Sequence, residues 1–376
     1  MNIKNVITSN IKNLPGWKTK RRILVIESDD WGSIRMPSKE IYKYLLKKGE
    51  KVDQDPYSKY DSLASEMDLV MLFEELSKFK DQNNNSPVIT ANVIMANPDF
   101  DAIKKSNFSE YHYELFTETL KYYPYHSNSF SLLEEGIRKK LFYPQLHGRE
   151  HINVSKWMTA LKNGNPHLLM AFNNRMLTLP SISMPENMNA FMDAFEFDSK
   201  KEIFNHSEII KDASNLFKKV FGFESKSIMV PCYIWSRVHE PMLKSNNIEY
   251  IQGFPYQYEP LPITGTLKYK KIFHYTGEKN NIGQRYLVRN AFFEPSQNPA
   301  TDIVGECLKK IEIAYKWHKP AIIGSHRLNF IGYIDPLNRK QNLKLLNQLL
   351  FEIIKRWPDV EFMSSDQLGD LINQTS

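Results

Sequence analysis

Asp29 and Asp30 stand side by side at the end of an apolar run, and His147 and His151 stand four residues apart much further on. A further histidine, His326, follows another apolar run. Carboxylates and neutral imidazoles hold divalent metals, and a catalytic metal keeps one position open for water. Asp30, His147 and His151 would supply three protein ligands. Of two neighbouring carboxylates, one can bind the metal while the other stays free as a general base. A step of four predicts both imidazoles on one side of a helical turn. The residues alone also fit two polar loop histidines, and adjacent acids often begin a turn or cap a helix. The chain has no His-Glu-x-x-His, so the glutamate of a metalloprotease motif is missing.

These side chains must be positioned by strands. Arg22 to Ser28 reads as a short buried strand rich in branched apolar residues. Residues 62–80 carry helical spacing through Leu69, Leu72, Phe73 and Leu76, and Pro87 to Ile94 reads as the next strand. Strand, helix, strand predicts a parallel sheet. Further strands are expected at 141–146, 227–230, 248–251, 320–324 and 360–363. Helices are expected at 109–122, 131–140, 155–162, 186–195, 206–221, 236–246, 301–317 and 338–356, with a short one from Asp366. Residues 253–296 lose the helical signal and read as strands and loops. Asp29-Asp30, His147, Pro231-Cys232-Tyr233 and His326 each directly follow an apolar strand. In a parallel barrel or open sheet those strand ends gather on one face, where sites are built.

Composition narrows the class. The chain has 376 residues, 49 basic against 43 acidic and a net charge of +6. That is too mild and too dispersed for a nucleic-acid partner. Two cysteines, Cys232 and Cys307, exclude a disulfide framework and a cysteine-rich zinc module. No apolar stretch is long enough for a transmembrane segment, and Met1 to Leu14 lacks a signal-peptide core. A cytoplasmic location is the expectation; the oligomeric state is left open.

Ser28-Asp29-Asp30-Trp31-Gly32 resembles the Thr-Phe-Asp-Asp-Gly signature of the polysaccharide deacetylases, a family within the glycoside hydrolase/deacetylase barrel superfamily. His147-x-x-x-His151 resembles their His-Ser/Thr-x-x-His motif. Met229-Val230-Pro231-Cys232-Tyr233 is similar in place to their Arg-x-Pro-Tyr/Phe-Gly segment, and Ile322 to His326 to their late Leu-x-His. The order matches over residues 22–372. The resemblance implies an α/β fold, a distorted (β/α) barrel of seven strands. It implies an extension at 1–21, a single domain over 22–376, and insertions near 97–135 and 253–296. It implies Asp29 as general base, Asp30, His147 and His151 as ligands of one divalent metal, and His326 as general acid. Zinc is the expected ion, with cobalt, nickel and manganese as alternatives. The backbone N–H near Cys232 would help hold the oxyanion. The implied substrate is an acetylated sugar or oligosaccharide, attacked by a metal-activated water.

The chain departs from the family pattern at Met229, which stands where the family has the arginine that orients the base. Arg149 and Arg327 are the candidates to replace it. Trp31, Tyr233, Trp235 and Arg237 near strand exits are candidates for sugar contacts. Arg35, Arg149, Arg327 and Asn329 are candidates for hydroxyl contacts. Met184, Met188 and Met192, four apart, read as a helix core face. Two other readings stay in view. One is a same-fold hydrolase of another amide, ester or glycosidic bond. The other is a non-catalytic carbohydrate-binding relative.

Overall fold

The computed structural model describes residues 3–183, 191–261 and 268–375. Its strands are β1 (Arg22–Trp31), β2 (Ile89–Ile94), β3 (Ala96–Pro98), β4 (Tyr113–Leu115), β5 (Phe142–Gly148), β6 (Ser227–Met229) and β7 (Tyr250–Gly253). They continue with β8 (Tyr256–Leu261), β9 (Lys268–Phe273), β10 (Arg285–Val288), β11 (Ala291–Phe292), β12 (Ala321–His326) and β13 (Val360–Met363).

The large sheet runs β10-β7-β6-β5-β2-β1-β12-β11, with every pairing parallel. Its two ends are consecutive in the chain. Arg289 N–H donates to Gly253 O of β7, and the next residue, Asn290, donates to Ile322 O of β12. Residues 285–292 are therefore one broken strand that closes a seven-membered barrel. The distortion sits at β1. Its Arg22–Val25 half pairs with β13, and β2 takes over from Ile26. The expected distorted seven-stranded (β/α) barrel is the architecture found.

Alternation on β1 explains where its side chains go. Ile23 and Val25 join Tyr250, Leu287 and Ile322 in an apolar cluster sealed by Leu368 and Ile372 of the last helix, Ser365–Thr375. Residues from four barrel strands meet there, so this is the barrel interior, plugged at its amino-terminal end. Glu27 and Asp29 follow in the same phase and face the same interior. Leu24 and Ile26 face the larger cluster beneath the outer helices. Both faces are covered, which is why the strand reads as a continuous apolar run. The covering helices include Glu66–Ser77, Ser129–Arg138, Lys200–Phe221, Ile303–Lys316 and Pro336–Arg356.

Several expected elements differ. Residues 109–122 hold β4 followed by a helix at Phe116–Tyr122, because 113–115 pairs antiparallel with β3. The 236–246 helix is a tight turn at Arg237–His239 leading into a helix at Glu240–Ser245, with Pro241 in its first turn. Of the helix expected at 186–195, residues 186–190 lie outside the described residues, and 191–195 carry no α-helix. Met184 and Met188 also lie outside them. The extension contains a helix at Ile3–Lys12. Among the described residues, no helix is long and apolar enough to cross a membrane.

Candidate metal centre

β1 delivers Asp29 and Asp30, β5 delivers His147, and β12 delivers His326. All three strands end at one cleft of about 450 Å³. Alternation alone would send the two adjacent carboxylates to opposite faces. Asp30 instead adopts a left-handed φ of 72°, followed by Gly32 at 81°, which turns its carboxylate into the same cleft. His151 lies in the turn after β5, ahead of the Asn153 cap of helix Val154–Lys162. The His-x-x-x-His spacing therefore works as strand plus turn. No helical turn carries it.

Asp30 Oδ1 is 3.3 Å from His147 Nε2 and 3.2 Å from His151 Nε2. One ligand atom from each of these buried residues falls within 4.8 Å of the others. His147 Nδ1 sits 2.6 Å from Met229 O, a carbonyl that can only accept. Nδ1 therefore carries the proton, and in the neutral ring Nε2 is a bare lone pair facing a carboxylate. Two acceptors that close need a cation between them, either a proton or a metal ion. Tetrahedral zinc with bonds of about 2.0–2.2 Å would set neighbouring ligand atoms roughly 3.3 Å apart. Donor set and spacing fit a divalent metal. His151 Nδ1 is buried and has no hydrogen-bond partner among the described residues. Arg35 donates to Asp30 Oδ2 at 3.0 Å, leaving Oδ1 to the imidazoles.

Asp29 is held differently. Arg289 spans both its oxygens at 2.6 Å and donates a third bond, also 2.6 Å, to Glu27. Asn92 adds a bond of 2.8 Å. Burial alone would raise the Asp29 pKa. The guanidinium, with His326 and His147, outweighs it and holds the carboxyl at about 2. Gly324 of β12 makes room, since a Cβ there would lie 2.6 Å from Arg289 Cδ. His326 Nε2 is 3.8 Å from Asp29, and its Nδ1 is 2.6 Å from Glu294. Burial would lower the His326 pKa, but Glu294 first, then Asp29 and Asp30, bring it up to about 9.

Neither arginine expected to replace the one missing at Met229 reaches Asp29. Arg149 pairs with Glu150 and Asp212 and lies 4.5 Å over the Tyr113 ring. Arg327 is fully buried against Asp61. Arg289 holds Asp29 instead. Met229 contributes its backbone carbonyl to His147.

Of the expected substrate contacts, Cys232 and Tyr233 line the cleft with consecutive left-handed φ values of 56° and 60°. Arg35 lines it too. Trp31, Arg149, Trp235 and Arg327 do not. Trp31 is buried edge-on against Phe142, and Trp235 is buried in a stack on His274. Both follow strand exits in sequence but turn toward the core. Cys232 has no base in His239, whose ring is engaged by His206 and the Ser236 N–H. Tyr57 was not singled out in the sequence. It lines the cleft with its ring edge-on to His326 at 5.4 Å.

A seven-membered parallel barrel with two carboxylates and three histidines at its strand ends is the class that fold and site define. No family model matches the chain. No curated protein matches it either. Solved structures do. Two are assigned as polysaccharide deacetylases. The one from Mycobacterium smegmatis is 10% identical over 96% of this chain and 93% of that one, with a TM-score of 0.48. The one from Pseudomonas aeruginosa PAO1 is 8% identical over 93% and 91%, with a TM-score of 0.46. PuuE allantoinase is 9% identical over 94% and 91%, also with a TM-score of 0.46. These identities are low, and the functional reading rests on the site itself.

Proposed function

We propose that this protein is a metal-dependent hydrolase that removes an acetyl or similar acyl group from a sugar of a polysaccharide or its precursor. The observation that carries this reading is the division between adjacent carboxylates. Asp30 faces two imidazoles, while Asp29 is kept off them by Arg289 and faces His326. Asp30, His147 and His151 would hold a divalent cation, zinc by preference, which would supply Lewis acidity and acidify water, and that suits a base as weak as Asp29.

Asp29, ionised at any working pH, accepts the proton of the attacking water through the oxygen nearer the cleft. His326, protonated through its pairing with Glu294, returns a proton from Nε2 to the leaving amine or alcohol. The Cys232 N–H is the candidate donor toward the oxyanion. Tyr233 and Tyr57 offer ring faces and hydroxyls to a sugar. We place the reaction in the cytoplasm, as two unpaired cysteines allow. Met229 departs from the family pattern, and Arg289 supports the catalytic reading by holding Asp29 in its place.

The test is acetate release from N- and O-acetylated oligosaccharides by metal-loaded protein, beside Asp29→Asn. Acetate in the parent and none in the variant supports the reading. A shortened glycan instead of acetate points to glycosidic cleavage. A fully active Asp29→Asn removes the base assignment.

A further inference from the structure

On one flank of the barrel the described residues carry no crossover helix. The connection from β7 to β10 carries the antiparallel hairpin β8–β9 where such barrels place a helix. The amino-terminal helix Ile3–Lys12 closes this flank and packs against helix Ile303–Lys316. A second cavity of about 320 Å³ lies here, lined by neither the two aspartates nor the histidines of the first cleft.

Its lining combines aromatic rings and ammonium groups. Lys12 Nζ lies 5.3 Å from the Phe254 ring centre and 5.2 Å from that of Tyr256. Lys310 Nζ lies 5.2 Å from Phe292, and Lys271, at the rim, 4.0 Å from Tyr256. Lys319 is 3% exposed, and its ammonium donates to the carbonyls of Pro15 and Trp17. Lys12, Lys310 and Lys271 thus rest on aromatic rings and Lys319 on backbone carbonyls. Glu306 is the one carboxylate among the lining residues.

Like charges gathered in one place are mutually unfavourable. Burial first, then Lys271 and Lys310, lower the pKa of Lys12, and burial with Lys18 brings Lys319 down to about 8. A multiply charged anion relieves this strain. Lysine ammoniums act on phosphate as point charges, and the rings beside them suit a planar or apolar body. The volume is at the small end of ligand pockets, the size of one nucleotide-like molecule.

We propose that this cavity binds a phosphate-bearing small molecule, its phosphate beside Lys12 and Lys310 and its planar or apolar part against Phe254 and Phe292. The site is independent of the hydrolase reading.

The test is calorimetric titration of the full chain with inorganic phosphate, pyrophosphate and uridine diphosphate. The same titrations are run on Lys12→Gln/Lys310→Gln, on Lys12→Arg/Lys310→Arg, and on His147→Ala/His151→Ala. Glutamine keeps the aliphatic stems over the rings, and a thermal melt checks that each variant folds. The expected result is saturable binding that the glutamine pair weakens about tenfold or more, that the arginine pair retains, and that higher salt weakens. Tighter binding of uridine diphosphate than of pyrophosphate would place the ring against the aromatics; equal binding would confine recognition to the phosphate and overturn that part. Binding unchanged in the glutamine pair but lost in the histidine pair would put the anion on the metal centre and overturn the proposal. Absence of saturable binding overturns it as well.

Discussion

Arg289→Met tests how this barrel builds its base. The guanidinium makes three 2.6 Å bonds to two carboxylates that are themselves almost wholly buried. Removing one partner of a buried ion pair costs about 3–5 kcal/mol, because the remaining charge stays desolvated. The pKa of Asp29 gives a separate handle. It is depressed from 3.8 to about 2, so its contribution is present above the unfolded value and is lost as pH falls through 2. That contribution is roughly 2 kcal/mol at neutral pH. In the variant the guanidinium is gone while burial remains, and burial raises the Asp29 pKa above its ordinary value. The sign then reverses, and stability falls as pH rises through the new pKa. In urea melts from pH 4 to 8 the variant should fall progressively further below the parent, because the dependence on His326 is common to both and cancels in the difference. The acid limb of turnover should move to higher pH, since a protonated Asp29 cannot accept a proton. Adding Glu27→Gln relieves the second orphaned carboxylate and should recover part of the stability, but not the acid limb. A variant within about 1 kcal/mol of the parent, well below the usual cost of a broken buried pair, would refute the reasoning if its acid limb were also unmoved.

Elemental analysis should find close to one metal per chain in the parent and none in His147→Ala/His151→Ala; a parent that stays metal-free after reconstitution with zinc, cobalt, nickel or manganese sinks the centre. Glu294→Gln should bring the His326 pKa down from about 9 toward the ordinary imidazole value near 6.5. The raised pKa adds stability that is complete below that ordinary value and lost as pH rises through 9, so the variant should lose this dependence and its alkaline activity limb should shift downward. Trp235→Ala should cost about 3–5 kcal/mol in a denaturant melt with KM unchanged, because the indole packs in the core; a raised KM without loss of stability would restore it as a sugar contact. Cys232→Ser should turn over like the parent, since burial and then the neighbouring Asp193 carboxylate push the thiol pKa well up and keep it protonated; loss of activity with the metal retained would reopen a role for sulfur.

The sequence pointed to strands wherever both faces of a strand are buried, because such strands are uninterrupted apolar runs. β1, β2 and β12 were legible for that reason, and so were Asp29, Asp30 and His326 at their exits. Direction was harder to read. Trp31 closes β1 just after a register shift and Trp235 lies beyond β6, and at such places the direction of a side chain depends on the local backbone. The left-handed Asp30 and Cys232 carry no local signal of the kind a glycine gives. Arg289 is the instructive miss. It directly follows Arg285-Tyr-Leu-Val288, a polar residue after an apolar run, and so meets the criterion that identified the other site residues. Residues 253–296 carry no helical signal and read as strands and loops, so this run does not stand out as a barrel strand. The short run there is one half of a strand that breaks at Arg289 itself, leaving β7 and joining β12 within two residues. That break is where the barrel closes, and closure is a property of strands far apart in sequence. The residue that holds Asp29 therefore sits where local pattern is weakest, at the point where the topology passes from β7 to β12.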